Sequence, residues 1–232
     1  MKKPLLLALL AASAQLAQAQ SIPAGTVSLG GNIGYSRNSS KYSSTGGSGT
    51  TYTTETSTSQ FSLAPSVGYF VADNLAIGLT LSYQAYSKDY STYTPAPSTV
   101  RAQLDPTTTF RIGAYAQYYK MLSEQFGFVG TLGGGYQTVR DYNYTSNSSN
   151  ALISESKGSG YYAGLTPGIV FFPIPKLGLT ASIGSLSFDH LNYDYPTNQG
   201  NTPNGYEDSS NSFGANFGLS QLQFGGTWYF GR

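Results

Sequence analysis

The only histidine of the chain, His190, follows Asp189 and stands near Ser185 and Ser187. A hydroxyl nucleophile, a histidine base and a carboxylate are the groups that acyl transfer or lipid deacylation requires. The spacing is uninformative, because Ser occurs throughout the sequence and a histidine at a strand end is generally a solvated residue. We therefore expect no catalytic residue and no enzyme, and keep a lipid-modifying enzyme using His190 as an alternative.

Composition restricts the remaining chemistry. The 232 residues include 12 Lys and Arg, 11 Asp and Glu, one His and no Cys, with a formal net charge of +1. This charge balance argues against nucleic acid as a partner, and the lack of Cys excludes disulfides and thiolate sites. One His among scattered Asp and Glu predicts no metal site. The glycine clusters at 46–49 and 133–135 lack phosphate-loop spacing, so we expect no cofactor.

The N-terminal residues have the pattern of a secretory signal peptide. Two lysines precede the apolar run Leu5 to Ala12, and Ala17 and Ala19 supply the small residues of a cleavage site. We predict a signal peptide over residues 1–19 and one domain over residues 20–232. The later sequence has no apolar run of the roughly 20 residues that a membrane-spanning helix needs. The exported chain is therefore either soluble or a membrane-spanning barrel.

Eight segments of the chain alternate apolar and small polar residues with period two, which predicts strands. The last segment changes phase near Ser220 and Gln221, and this slip predicts a β-bulge. The eight runs begin at Val27, Phe61, Leu75, Phe110, Phe126, Tyr161, Leu177 and Phe213.

The connections alternate in length. The short ones are Val71 to Asn74, Lys120 to Gln125 and Phe172 to Lys176, and the long ones are Asn38 to Glu55, Ser87 to Pro106, Val139 to Ser156 and His190 to Asn211. All long connections fall on one side of the predicted sheet. The pattern predicts an all-β fold: an eight-stranded antiparallel up-and-down transmembrane β-barrel with short periplasmic turns and long extracellular loops.

The two faces of the predicted strands differ in chemistry. The apolar face has no charged residue over the strand centres, where a charge would cost about 2–4 kcal/mol at the bilayer midplane. The other face is Gly, Ser and Thr, which suits a narrow interior, so we expect the apolar face to contact lipid. Aromatic residues at both strand ends predict two interfacial girdles. The short-turn girdle is Tyr69, Phe70, Tyr118, Tyr119, Phe126, Phe128, Phe171, Phe172, Trp228, Tyr229 and Phe230, and the other is Tyr35, Phe61, Tyr83, Tyr136, Tyr161, Phe188 and Phe213.

Arg111 has the parity of the polar face, so we expect it inside the barrel. The other lumen candidates are Tyr115, Gln117 and Tyr162, with Tyr119 also inward. A buried charge needs partners. The cluster is therefore either a gate or ligand site, or an arginine held by Tyr and Gln oxygens that fills the lumen. The narrow interior of eight strands favours the filled lumen.

Pro65 and Pro167 lie inside predicted strands, where neither can donate a ladder hydrogen bond. Each predicts a local bulge or a solvated gap. The residues around them align at an offset of 102, and so do Leu75 and Leu177. The repeat suggests two related half-barrels.

The segment from Tyr69 to Leu79 and the ending Phe224-Gly-Gly-Thr-Trp-Tyr-Phe resemble the small outer-membrane β-barrel domain family of the OmpA and OmpX type. The resemblance covers the mature chain and shows no C-terminal peptidoglycan-binding domain. It implies the outer membrane of a Gram-negative bacterium, contact with outer-membrane lipid, and recognition of the last strand by the assembly machinery. Trp228 and Phe230 are the corresponding assembly signal, although Gly231 and Arg232 follow them.

The long loops mix Tyr with Ser, Thr, Asn and Gly, as binding surfaces do. This composition predicts a structural or surface-interaction role, in adhesion or envelope integrity, with an unidentified extracellular ligand. The same composition is also typical of hairpins that extend past a membrane. A narrow pore and a secreted soluble sandwich are the further alternatives.

Overall fold

The structure is a computed structural model that describes residues 21–47, 49, 51–93, 100–102, 105–144, 152–194, 207–218 and 222–232. The predicted signal peptide with Ala17 and Ala19 lies outside this part of the chain, and so does the predicted bulge at Ser220 and Gln221. Within the described ranges, no helix is long and apolar enough to cross a membrane.

The described residues form eleven strand segments that make up eight barrel strands. The segments are β1 (Val27–Thr45), β2 (Thr51–Ala72), β3 (Leu75–Tyr93), β4 (Val100–Ala102), β5 (Thr107–Met121), β6 (Phe126–Tyr144), β7 (Leu152–Ile174), β8 (Leu177–Ser182), β9 (Gly184–Asp194), β10 (Glu207–Phe217) and β11 (Gln223–Phe230). β8 and β9 are two parts of the seventh barrel strand, β10 and β11 are two parts of the eighth, and β4 pairs only with the end of β3.

Neighbouring strands pair antiparallel around a closed circuit. β11 closes the barrel by pairing with β1, from Val27 opposite Phe230 to Asn32 opposite Gly225, and with β8 on its other side. The circuit confirms the predicted eight-stranded up-and-down barrel.

The apolar face of the strands points away from the lumen. Leu29 of β1, Leu79 of β3 and Leu132 of β6 are 55%, 61% and 59% exposed. A soluble sandwich would bury these side chains between its sheets, so the secreted sandwich is excluded. A continuous exposed apolar belt of this kind is stable only when another apolar phase covers it.

Much of what the sequence indicated as long loops is strand. β1 runs to Thr45 and β2 begins at Thr51, so most of the predicted loop from Asn38 to Glu55 is a paired hairpin. β6 and β7 likewise remain paired up to Tyr144 opposite Leu152. These segments are rich in Thr, Ser and Tyr, and β-branched and aromatic residues favour the extended backbone.

Both strand prolines lie at interruptions of the ladder. The β2–β3 pairing passes from Leu63 opposite Tyr83 to Ser66 opposite Thr80, and thus skips Pro65. The partners of β7 likewise change from β9 to β8 between Leu165 and Gly168, which skips Pro167. Each gap lies at the same place in the 102-residue sequence repeat, so the missing N–H groups are accommodated in the same way at both prolines.

The seventh barrel strand changes phase at its break, which the sequence reasoning missed. In β8 an odd-numbered residue, Leu179, faces outward, whereas in β9 the outward residue is Phe188. Gly184 stands at the break with φ +133°, a conformation that L side chains rarely adopt, and a Cβ there would meet the carbonyl oxygen of Asn216. The shift directs Asp189 into the lumen.

Candidate functional site in the lumen

An aromatic cluster, the lumen plug, closes the short-turn end of the barrel. Its rings belong to Phe70, Tyr119, Phe172 and Tyr229, each at most 2% exposed. The Phe172 and Tyr229 ring centroids are 5.2 Å apart, and the hydroxyl groups of Tyr119 and Tyr229 form a hydrogen bond of 3.1 Å.

The lumen plug corrects the predicted lower girdle. The sequence places Phe70, Phe172 and Tyr229 at the membrane interface, yet they face inward because side chains alternate along a strand. Tyr119, which the sequence places both in this girdle and inward, faces inward. Their neighbours retain the outward orientation: Tyr69, Tyr118 and Phe171 are 52%, 58% and 44% exposed. The parity of the four residues in the sequence indicates that they point inward, whereas their contact with one another depends on the radius of the barrel.

The residues before β1 cover the plug. Ile22 is fully buried against the aromatic cluster. Its backbone N–H donates to Asn74 Oδ1 at 2.8 Å, and the Asn74 N–H donates to the Ile22 carbonyl at 2.9 Å. These bonds anchor the N-terminal segment to the turn between β2 and β3. The alternation pattern gave no signal for this segment, because it precedes the first strand.

The C-terminal residues cover the plug from the other side. The Arg232 guanidinium lies 3.6 Å from the centre of the Phe172 ring, and its Nη2 donates to the Glu124 carbonyl at 3.4 Å. Burial lowers the pKa of this guanidinium. Trp228 and Phe230, the predicted assembly signal, face outward and are 40% and 50% exposed.

A polar network, the lumen network, crosses the other end of the barrel. Arg111 Nη2 lies 2.9 Å from Asp189 Oδ1, and Arg111 Nε donates to Gln137 Oε1 at 2.9 Å. Gln137 Nε2 donates to Asp189 Oδ1 at 3.0 Å, and the guanidinium lies 5.0 Å from the centre of the Tyr162 ring. Arg111 thus has a charged partner that the sequence reasoning missed, because only the phase change at Gly184 turns Asp189 inward.

A cavity of about 310 Å³ lies between the lumen plug and the lumen network. Arg111, Tyr115, Gln117 and Tyr162, the four lumen candidates, line it together with hydroxyl groups and glycines. Gln117 donates to Thr131 Oγ1 at 3.1 Å, which fixes its amide on the wall. The other polar groups in the lining are uncharged hydrogen-bond donors and acceptors. They surround one ion pair, Arg111 with Asp189, whose two charges compensate each other.

We expect Arg111 and Asp189 to be energetically coupled. Arg111→Met leaves the Asp189 carboxylate without its cation, whereas Arg111→Met with Asp189→Asn removes both charges. The double variant should therefore be more stable than the two single losses predict, with a coupling of about 1 kcal/mol, toward the lower end of the usual range because the pair is partly solvated. Denaturant unfolding of the unaltered protein, Arg111→Met, Asp189→Asn and the double variant measures the coupling. Strictly additive losses of stability would contradict it.

The structure does not bring together the residues of the catalytic alternative. His190 faces outward and its Nδ1 lies 2.8 Å from Asn211 Oδ1, whereas Asp189, Ser185 and Ser187 line the lumen cavity. Adjacent residues of a strand point to opposite faces, so the sheet separates the histidine from the groups it would need. In the part of the chain that the structure describes, no group of His, Cys, Asp and Glu could hold a metal ion.

A closed antiparallel barrel with an apolar outer surface and a polar interior defines a transmembrane β-barrel. Residues 5–220 match the family of the outer membrane protein beta-barrel domain. The chain belongs to this family, and the protein lies in the outer membrane of a Gram-negative bacterium.

Solved structures of two outer membrane proteins are similar to this chain. The outer membrane protein OprG from Pseudomonas aeruginosa is similar at 16% identity and a TM-score of 0.51, over 90% of this chain and 97% of that chain. The N-terminal β-barrel domain of Pseudomonas aeruginosa OprF is 13% identical with a TM-score of 0.39, over 91% and 100% of the two chains. No curated protein matches the sequence. The OprG likeness concerns the fold alone.

Proposed function

We propose that the protein is a non-conducting barrel that acts outside the cell through its extracellular hairpins, in a surface-interaction role. The observation that supports this most directly is strand length. β2 has 22 residues and β7 has 23, whereas about 9–11 tilted residues cross a bilayer. The β1–β2 ladder continues from Tyr35 opposite Phe61 to Thr45 opposite Thr51, which at about 3.3 Å per residue projects roughly 30 Å of hairpin.

The β1–β2 hairpin presents a pre-ordered polar surface. Ser43 and Thr53 form a hydrogen bond of 2.8 Å across the strands, Thr45 and Thr51 one of 3.0 Å, and Tyr42 is 71% exposed. Tyr supplies contact area at low entropic cost, and small hydroxyl residues supply adaptable hydrogen bonds. An ordered hairpin also loses less conformational entropy on binding than a flexible loop does. These properties favour contact with another surface.

Trimming the β1–β2 hairpin tests the proposal. Replacing residues 39–57 by Asn-Gly keeps the Asn38–Thr58 pair and the membrane barrel, because Asn-Gly closes a two-residue hairpin. We expect cells with this variant to lose most of their retention on glass and their cell–cell aggregation. The protein should still migrate faster unboiled than boiled in detergent gels, as a folded barrel does.

Tyr42→Ser in the full-length hairpin is the matched variant that measures what one exposed side chain contributes to binding. We expect cells with this variant to lose part of their retention on glass. Unchanged retention of the trimmed variant would contradict a surface-interaction role. If detergent sensitivity rises instead, the hairpins serve envelope integrity.

The proposal includes two partners. Outer-membrane lipid covers the exposed apolar belt, and the assembly machinery recognises the last strand through Trp228 and Phe230, both of which face outward at the periplasmic rim.

We expect Phe230→Ala to reduce the amount of heat-modifiable protein in cells several-fold while refolding in vitro is little changed. An equal loss in both settings would assign Phe230 to barrel stability alone.

A further inference from the structure

The outer face of β6, β7 and β9 has a row of charged side chains near its extracellular end. Arg140 of β6 stands directly opposite Lys157 of β7, and Lys157 stands directly opposite Asp194 of β9. All three side chains are exposed, and they have the parity of the outward apolar residues of their strands. We call these three residues the charged row.

The two cations of the charged row are only partly compensated. Like charges at directly opposite positions of two strands destabilise a sheet. Glu155 lies between the two cations, with its Oε1 3.4 Å from Arg140 Nε and 3.7 Å from Lys157 Nζ. Both distances exceed the roughly 2.7–2.9 Å of a charge-assisted hydrogen bond. An anion that contacts both groups at the shorter distance would therefore bind them better than Glu155 does.

The outer face of β6 and β7 below the charged row follows the order of groups in a lipid molecule. From the row downward, a hydroxyl pair is followed by a tyrosine pair and then by a leucine pair, each formed by directly opposite residues. The pairs are Thr138 with Ser159, Tyr136 with Tyr161, and Leu132 with Leu165. The tyrosine ring centroids are 6.0 Å apart, and tyrosines at this position of a membrane protein mark the interface.

The charged row stands at a height that lipid head groups reach. Lys157 is four residues beyond Tyr161, which is roughly 13 Å along the strand at about 3.3 Å per residue. A strand tilt of about 40° reduces this distance to a height of roughly 10 Å. The long stems of Arg140 and Lys157 can turn back toward the interface and bring their charges closer to it.

We propose that the charged row binds the head group of a membrane lipid that carries a phosphate and a primary ammonium group. The phosphate lies between Arg140 and Lys157, the ammonium group contacts Asp194, and the acyl chains lie along the leucine pair. Two carbons separate the phosphate ester oxygen from the nitrogen of phosphoethanolamine, so its charges are about one strand spacing apart, roughly 4.8 Å. This site is independent of the proposed role of the hairpins.

The signs of the charges select this head group. Arg140 and Lys157 together with Glu155 and Asp194 have no net charge, so a purely anionic head group would meet two carboxylates as well as two cations. A primary ammonium group can donate hydrogen bonds to the Asp194 carboxylate, whereas a trimethylated ammonium group has no N–H to donate. A phosphoethanolamine lipid should therefore bind more tightly than a phosphocholine or a phosphoglycerol lipid with the same chains.

Two substitutions separate the two halves of the site. Lys157→Gln removes a ligand of the phosphate, and Asp194→Asn removes the ligand of the ammonium group. Both positions are exposed, so we expect both variants to fold. Arg37→Gln is the matched control, because Arg37 is also an exposed cation two residues beyond an outward tyrosine, Tyr35. Arg37 differs in that its Nε donates to Ser57 Oγ at 3.2 Å.

The measurement uses the full mature chain refolded in detergent micelles. The protein is titrated with dilauroyl phosphatidylethanolamine, phosphatidylcholine or phosphatidylglycerol, and native mass spectrometry counts the bound lipid. We expect saturable binding of phosphatidylethanolamine, which Lys157→Gln weakens at least about tenfold, the loss of one hydrogen bond between charged groups. Asp194→Asn should remove the preference over phosphatidylcholine, and Arg37→Gln should change neither. Faster migration of the unboiled protein in gels verifies that each variant is folded.

Four outcomes would overturn the proposal. Equal binding of phosphatidylethanolamine and phosphatidylcholine to the unaltered protein would show that the ammonium group is not recognised. Tighter binding of phosphatidylglycerol would indicate a simple anion site. Free phosphoethanolamine that binds as tightly as the lipid would indicate a soluble ligand. Binding that Lys157→Gln leaves intact, or that Arg37→Gln weakens equally, would place the lipid elsewhere on the barrel.

Discussion

Leu132→Arg should lower the free energy of unfolding by about 2–4 kcal/mol, the cost of a cation at the bilayer midplane. Leu132 lies on β6 between Phe128 and Tyr136, and its side chain is 59% exposed on the outer face. In water such a substitution would be nearly neutral. The loss arises because the guanidinium must be desolvated or the bilayer must thin around it. Unfolding by guanidinium chloride in phosphatidylcholine vesicles, followed by the fluorescence of Trp228, measures the effect.

Thr138→Arg is the matched control on the same strand and the same face. Thr138 stands beyond Tyr136, and Arg140, two residues further, already places an exposed cation on this face. Near the interface the cost falls to about 0–1 kcal/mol. A similar loss for both substitutions would mean that depth does not matter, and the lipid-facing assignment of the apolar belt would then be wrong.

Phe172→Ala should open the lumen plug and destabilise the barrel. Phe172 is 1% exposed and contacts the Tyr229 ring and the Arg232 guanidinium. Truncation of a buried Phe costs about 3–5 kcal/mol through lost transfer energy and the cavity that remains. Because the cavity above the plug is polar, we also expect discrete single-channel conductance in planar bilayers, where the unaltered protein gives none.

Phe171→Ala controls for the loss of a ring at the same level. Phe171 precedes Phe172 but faces outward and is 44% exposed. We expect a smaller loss of stability and no conductance. Channels in the unaltered protein would support the narrow-pore alternative and contradict a closed barrel. A closed Phe172→Ala variant would show instead that Ile22 and Arg232 seal the mouth without the ring.

The molecule has two parts, a membrane barrel that is closed at its periplasmic end and long hairpins that extend from its extracellular end. The lumen plug and the lumen network lie inside the membrane barrel on either side of a cavity of about 310 Å³, and the barrel wall is the base of the hairpins. β1 and β2 then continue as one ladder from the barrel wall to Thr45 and Thr51. A binding surface on such a continuation is held by the sheet that crosses the membrane, and its position does not depend on a flexible linker.

The sequence by itself determined the strands, the outward face and the arrangement of the connections. Alternation is a local property, because successive Cβ atoms of an extended chain point to opposite sides, so Leu79 and Leu132 could be placed outward without knowledge of their partners. The side of the long connections follows from counting reversals along the chain. The lumen position of Arg111 follows from its parity next to Phe110 and Ile112.

Only the tertiary structure decided which groups meet. Alternation loses its phase at a break, and the shift at Gly184 directs Asp189 to Arg111 while His190 stays outside. The β1–β11 ladder ends at Asn32 opposite Gly225, and its end is a matter of strand stagger around a closed barrel that has no local signal. Whether Phe172 and Tyr229 fill the lumen depends on the radius of that barrel. These are long-range packing properties, and a period-two pattern does not contain them.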